Sequence, residues 1–185
     1  SEMCIRDRRL HKHTGPAIVF DSYKEMKAAV ENETLDVTAD HIMVFRNAGP
    51  VGGPGMPEWG MLPIPVKLVK QGVRDMLRIS DARMSGTSYG ACILHAAPEA
   101  AIGGPLALVK NGDMIAVDVA ARTLDLLVDK AELQARKQVW QPPEQTVSRG
   151  YHWMSAQHIQ QADKGCDFDF LETTFGKSAG EPDIF

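Results

Sequence analysis

Apolar residues fall along this chain in short runs separated by glycine, proline and charge. Gly15-Pro16 precedes Ala17-Ile18-Val19-Phe20, a pattern that predicts a short buried strand. Asp21 or Ser22 then stands where a helix cap belongs, with Glu25 near the first turn and Met26, Ala29 and Val30 on one face. His41–Arg46 predicts a second strand, which runs straight into a glycine-rich block. Trp59–Lys70 predicts a short helix interrupted near Pro63 and Pro65. The alternation of Val73–Ser80 and the run Gly90–Ala96 predict two more strands. Pro98–Ala101 reads as a turn, and Gly103-Gly104-Pro105 turns the chain into Leu106–Val109. Asn111-Gly112-Asp113 is a tight-turn signal before a strand at Met114–Val119, and Leu124–Val128 adds another. The runs from Gly90 to Val128 predict a meander of short antiparallel strands. Asp129 opens a charged helix through Gln138, Gln141-Pro142-Pro143 is a linker, and Tyr151 to about Asp163 has the pattern of an amphipathic helix. The pattern by itself defines a mixed α/β chain with many short strands.

Three features of composition narrow this picture. At 185 residues the chain has the size of one domain, and 44% hydrophobic with 24% charged residues is ordinary for a globular protein. A net charge of −4 lacks the basic excess of a nucleic-acid surface, so no nucleic-acid partner is expected. No apolar run approaches the roughly 18–20 residues of a membrane span, and no secretory signal is visible, so neither a membrane partner nor export is expected. Cys4, Cys92 and Cys166 are far apart and form no C-x-x-C pair, which suits a reducing cytoplasm and argues against a metal or cluster site built from them alone. Ser1–Arg9 is charged and non-periodic and reads as a non-native scar, which makes the chain the tail of a longer reading frame. The expected domain is residues 10–173, followed by a loosely held tail over 174–185.

The densest chemistry lies in Asp81-Ala82-Arg83-Met84-Ser85-Gly86-Thr87, at the end of the predicted Val73–Ser80 strand. A carboxylate, a guanidinium, two hydroxyls and a glycine in seven residues fit either a polar turn or a loop that brings a hydroxyl to a ligand. The block Gly49–Glu58, with its glycines and prolines, is a shaped loop. It lacks the lysine and hydroxyl of a G-x-x-x-x-G-K-(S/T) phosphate cradle. Its final residue, Glu58, either favours a following helix N-terminus or offers an oxygen ligand to a hard cation. His95, alone among apolar neighbours, has the profile of a structural histidine.

Asp81–Thr87 resembles the Asp-(Ala/Gly)-Arg-(Met/Phe)-Ser-Gly-Thr signature of the dihydroxy-acid and sugar-acid dehydratases, iron–sulfur and magnesium hydro-lyases. Arg46–Glu58 is similar to that family's R-N-x-G-P-x-G-G-P-G-M-P-E block, and Pro98–Ala101, Gly103-Gly104-Pro105 and Asn111-Gly112-Asp113 follow in the family's order. The resemblance covers roughly Thr14–Leu171 and corresponds to a C-terminal domain. It implies a swivelling, barrel-like β core with flanking helices that closes over an active site. It implies loss of water from a 2,3-dihydroxy acid to give a 2-oxo-3-deoxy acid. In that chemistry Ser85 is the base, Thr87 a helper or substrate-binding hydroxyl, and Glu58 a Mg²⁺ ligand. Arg83 then either pairs with Asp81 or helps with an anionic substrate. The cluster cysteines and remaining Mg²⁺ ligands belong to an N-terminal domain, so the resemblance makes that domain a partner, with the acid substrate and a homo-oligomeric assembly. The Gly165–Leu171 run is more similar to sugar-acid (arabinonate- or xylonate-type) dehydratases than to the branched-chain biosynthetic members. A dihydroxy-acid dehydratase, a phosphogluconate dehydratase and a non-catalytic β-rich binding domain remain the alternatives.

Overall fold

A computed structural model describes residues 8–86, 89–144 and 147–171. Thr87 and the expected tail lie outside these described residues. Six strands form one curled, mixed sheet, a half-barrel with helices at its flanks. They are β1 (Lys12–Phe20), β2 (Ile42–Phe45), β3 (Arg78–Ser80), β4 (Cys92–Ile93), β5 (Met114–Asp118) and β6 (Thr123–Leu126). The spatial order is β4-β3-β2-β1-β5-β6.

The antiparallel meander predicted over Gly90–Val128 holds for β5 and β6 but not for β4, which pairs in parallel with β3. β1, β2, β3 and β4 pair in parallel, and only β5 runs antiparallel to β1 and to β6. Parallel neighbours need a crossover between them. The segments after β1 and β2 supply it through α1 (Tyr23–Glu31) and α2 (Val66–Lys70). α1 is capped by Ser22, whose hydroxyl accepts from the Glu25 N–H at 3.2 Å. Its buried residues are Met26 and Val30. α2 is shorter than its apolar pattern, because Pro63 and Pro65 hold residues 59–65 out of a helix and the first turn forms only after them. α3 (Lys130–Val139) is capped by Asp129 and buries no residue. α4 spans Gly150–His158 and buries only Ser155, so the expected longer amphipathic face is absent there.

Because β2 lies between parallel neighbours, both of its faces are covered and all four residues are buried. Period-two alternation divides them between two cores. Ile42 and Val44 join Val19, Leu77, Ile79, Ile115 and Val117 on one face. Met43 and Phe45 join Phe20, Met26, Val30, Leu62 and Leu68 on the helix-covered face. The Asn111-Gly112-Asp113 turn locks the antiparallel half onto β1. The Val19 N–H donates to Asn111 Oδ1 at 2.6 Å, the Gly112 N–H to the Ala17 carbonyl at 2.8 Å, and the Ala17 N–H to the Asp113 carbonyl at 2.8 Å. Asp113 in turn forks with Arg136 of α3, both side chains only about a tenth exposed. No helix among the described residues is long and apolar enough to cross a membrane.

Candidate active site

Four neighbouring parallel strands present their carboxyl ends along one rim of the sheet. Asp21 follows β1, Arg46 and Asn47 follow β2, Asp81 follows β3, and Leu94 and His95 follow β4. In open parallel sheets that rim is where ligand-binding loops gather. Here it holds both of the loops with the densest chemistry.

Asp81 joins them. Its carboxylate is fully buried and accepts three backbone N–H groups: Ala48 at 3.0 Å, Asn47 at 3.1 Å and Ala100 at 2.9 Å. Burial pushes its pKa up, the three N–H bonds pull the other way, and the nearby Glu99 carboxylate adds to the rise, leaving the group above its ordinary value. Arg83 therefore does not pair with Asp81, as the seven-residue spacing had allowed. The first carboxylate is consumed by backbone donors of the segment after β2 and of the 3₁₀ turn Ala100–Ile102, and the arginine turns outward instead.

Glu99 performs the same task for the glycine-rich block, and nothing in the motif reading had singled it out. It too is fully buried, accepting the Val51 N–H at 2.8 Å, the Gly52 N–H at 2.9 Å and the Gln161 amide at 2.7 Å. The signal available in the sequence is a lone carboxylate inside the apolar stretch Ala97-Pro98-Glu99-Ala100-Ala101, since a buried charge demands fixed partners. Gly49 is required beside it: a Cβ there would sit 2.6 Å from Glu99 Oε2. At the start of the block Arg46 forks onto Asp21, with its Nε 2.6 Å from Oδ1, and donates through Nη1 to the Leu106, Ala107 and Val109 carbonyls. The arginine thus ties β2's carboxyl end to β1's and to the 3₁₀ turn Pro105–Leu108.

The far end of the block carries Glu58, about half exposed and 3.0 Å from Arg83 Nη1. No helix starts at Glu58, so the reading of it as a helix-end carboxylate is set aside. Arg83 Nε also donates to the Met56 carbonyl at 2.6 Å, and the Arg83 carbonyl accepts the Gly60 N–H at 2.7 Å. Ser85 lies two residues beyond Arg83, half-buried in the same loop. The structure thus brings the Ser85 loop and Glu58 together through Arg83. Gly86 is exposed, and a Cβ on it would meet nothing within 4 Å among the described residues. His95 is exposed with φ 54°, and its N–H donates to the Ala82 carbonyl at 3.2 Å. It braces the loop through its backbone, and its ring is not the buried structural group that its apolar neighbours had implied.

Beside this rim, Trp59 stacks on Tyr23 with ring centroids 5.2 Å apart and leans on Phe45 at 6.3 Å. Clefts of about 480 Å³ and 410 Å³ adjoin at Asn47, and a third of about 380 Å³, mostly apolar, lies between β4 and β6. None of these three is lined by Glu58 or Ser85, which stand on an open face.

A single carboxylate oxygen ligand suits a hard divalent cation such as Mg²⁺, so Glu58 fits as one member of a ligand set. Among the described residues no group of three or more His, Cys, Asp or Glu stands together to complete one. An iron–sulfur cluster does not fit the described cysteines. Cys92 is buried in β4, whereas Cys166 lies elsewhere, its Sγ 3.5 Å from Met56 Sδ.

The fold is thus a parallel-cored half-barrel with two interlocked loops on its carboxyl rim. The chain belongs to the dihydroxy-acid/6-phosphogluconate dehydratase family, matching its C-terminal domain over residues 3–166. It is 54% identical over 176 residues to a 6-deoxy-6-sulfo-D-gluconate dehydratase of Pseudomonas putida, covering 95% of this chain and 30% of that protein. It is 48% identical over 169 residues to an L-arabinonate dehydratase of Rhizobium leguminosarum bv. trifolii, covering 91% and 29%. A dihydroxy-acid dehydratase of Methanoregula boonei is 47% identical over 135 residues, covering 73% and 24%. The chain spans about 30% of the length of the first of these curated relatives.

Proposed function

We propose that this chain is the C-terminal part of a hydro-lyase that converts a 2,3-dihydroxy sugar acid to a 2-oxo-3-deoxy acid, with Ser85 as base and Glu58 as a Mg²⁺ ligand. The observation that carries the reading is the Arg83 clamp, which places the Ser85 loop against Glu58 on an open rim. The two relatives named for sugar acids cover more of this chain than the one named for a dihydroxy acid, which favours a sugar acid as substrate.

In the proposed reaction the C2 proton passes to the Ser85 oxygen, the C3–O bond breaks, and the hydroxide leaves as water once protonated. The enol that remains tautomerises to the 2-oxo acid. A cation held at Glu58 would supply Lewis-acid polarisation of the substrate carboxylate and 2-hydroxyl. A serine hydroxyl is a weak acid, so Ser85 acts as a base only where an electropositive, desolvated environment stabilises its alkoxide. Its half-buried position becomes desolvated when a second domain closes over the rim; the enzyme's own N-terminal part is the proposed occupant. The described residues contain no cluster ligands, so departure of the 3-hydroxyl is not assigned to a group of this chain.

The test is Ser85→Ala in the full-length enzyme, assayed on sugar acids, 6-phosphogluconate and a branched-chain dihydroxy acid. A general base contributes roughly 100- to 10,000-fold in rate. We expect turnover to fall by that amount on a sugar acid, with bound Mg²⁺ and melting temperature retained. A variant that keeps most of its turnover overturns the role of Ser85, and preferential turnover of the branched-chain acid by the parent overturns the substrate class.

A further inference from the structure

Among the described residues, three hydrogen bonds of Arg83 go to one short stretch of the opposite loop. Nε holds the Met56 carbonyl, Nη1 holds Glu58 Oε1, and its own carbonyl holds the Gly60 N–H. Asp81, two residues earlier, is fixed by backbone donors of Asn47, Ala48 and Ala100, so the base of the Arg83 loop cannot shift without breaking three bonds. The residues on either side of Glu58 are thereby held against a rigid reference, and only one carboxylate oxygen is engaged by the guanidinium.

We propose that Arg83 is the positioning residue of the Glu58 carboxylate: it orients one oxygen and leaves the other directed to a divalent cation. This rests on the reading of Glu58 as a Mg²⁺ ligand and deepens it by naming what sets that ligand's geometry. The pair would contribute little as a stabilising ion pair, since both side chains are nearly half exposed. Geometry is where it acts. Arg83 and a dication repel each other, and the orientation that Arg83 imposes on the carboxylate works against that repulsion. Loss of an orienting partner to a ligating group typically lowers metal affinity about 10- to 100-fold, so orientation outweighs the relief of repulsion. An arginine suits the task where a lysine does not, because the guanidinium reaches the Met56 carbonyl and the Glu58 carboxylate together.

The experiment is metal binding by the full-length protein, with Mn²⁺ as a spectroscopic stand-in for Mg²⁺, on Arg83→Ala, Arg83→Gln, Arg83→Lys, Glu58→Gln and the double variant Arg83→Ala/Glu58→Gln. We expect Arg83→Ala to weaken Mn²⁺ binding about 10- to 100-fold with a melting temperature within a few degrees of the parent. Arg83→Lys should recover part of the loss. The double variant should bind no more weakly than Glu58→Gln alone, because both changes act through one carboxylate. Arg83→Gln, which keeps a donor for Met56, serves if the alanine variant does not fold. Weakened binding in Glu58→Gln with normal binding in both Arg83→Ala and Arg83→Gln overturns this inference alone, as do losses that add in the double variant. Normal binding in Glu58→Gln overturns the ligand assignment itself and this inference with it. Tighter binding in Arg83→Ala shows that repulsion dominates and also refutes it.

Discussion

Asp81 is the residue whose removal most directly separates the two loops, and its cost follows from the hydrogen bonds it accepts. In Asp81→Ala the Ala48 and Ala100 N–H groups lose their acceptors in a buried environment, and the Asn47 N–H loses its acceptor in a part-buried one. A buried donor left unsatisfied costs about 1–3 kcal/mol, so the two buried groups together cost about 2–6 kcal/mol. That is a large share of the roughly 5–15 kcal/mol by which a domain is stable. Asp81→Asn is the sharper probe. Oδ2 takes two of the bonds and Oδ1 takes one, so an amide oxygen at Oδ2 keeps Asn47 and Ala100 while its NH₂ confronts the Ala48 N–H. One donor is lost, at about 1–3 kcal/mol, partly offset because the amide no longer buries a charge. Urea unfolding of the parent and both variants, with the slopes compared to confirm a common unfolded state, measures the difference. We expect the asparagine variant to lie between parent and alanine variant. Equal stabilities for the two variants, or a loss below about 1 kcal/mol in Asp81→Ala, would mean that water replaces the carboxylate and that Asp81 does not join the loops.

Two further predictions test the surroundings of the site. Gly49→Ala places a Cβ 2.6 Å from Glu99 Oε2, and because Glu99 is held by Val51, Gly52 and Gln161 it has nowhere to yield. We expect about 1–3 kcal/mol of destabilisation by thermal melting, and unchanged stability would show that Glu99 swings free. Burial works against ionisation of Asp113, but the Arg136 fork and the Lys110 N–H outweigh it and hold its pKa below the ordinary 3.8. Its folded pKa is depressed, so its stabilisation is present above 3.8 and is lost as pH falls through the folded value. Asp113→Asn should therefore lower stability at neutral pH and lose less than the parent on acidification, read by urea unfolding across that range. An identical acid profile in parent and variant would refute it.

The strands and the Ser22 cap were legible because local patterns decide them: alternation, and a hydroxyl before an apolar-faced turn. The glycine block was legible as a shaped loop for the same reason. Pairing direction was not. Ala17–Phe20 and His41–Arg46 read alike whether their neighbours run parallel or antiparallel, and the crossover helix that decides the matter is shared by many strand orders. Val73–Ser80 alternates, yet only Arg78–Ser80 is strand, because Asp75 turns back to receive the Met76 and Ala91 N–H groups and to pair with Arg78. In the site, the sequence offered Glu58 and the Ser85 loop as candidates, and the structure brings them to one rim, but the partners of Asp81 and Arg83 were not legible. A carboxylate two residues from an arginine is the obvious pair on paper. Backbone donors from the loop after β2 and from a 3₁₀ turn far along the chain are invisible until the fold supplies them.

β1 comes early in the chain but occupies an interior place in the sheet, and this bears on how the protein is made. One of its edges is filled by β2 soon afterwards, whereas Gly15 meets Ile115 on the other edge, one hundred residues later. At ribosomal speeds of about 5–20 residues per second, that edge stays open for roughly 5–20 s while the nascent chain lengthens. The stretch that waits for β5 is Lys12–Pro16, and an unpaired edge is open to strands from other molecules. The parallel quartet can therefore assemble during synthesis, but the sheet is sealed only when the β5–β6 hairpin arrives. Contacts this distant in sequence also slow refolding from denaturant. The hairpin, remote from the reactive loops, is thus the element that closes the last open edge of β1.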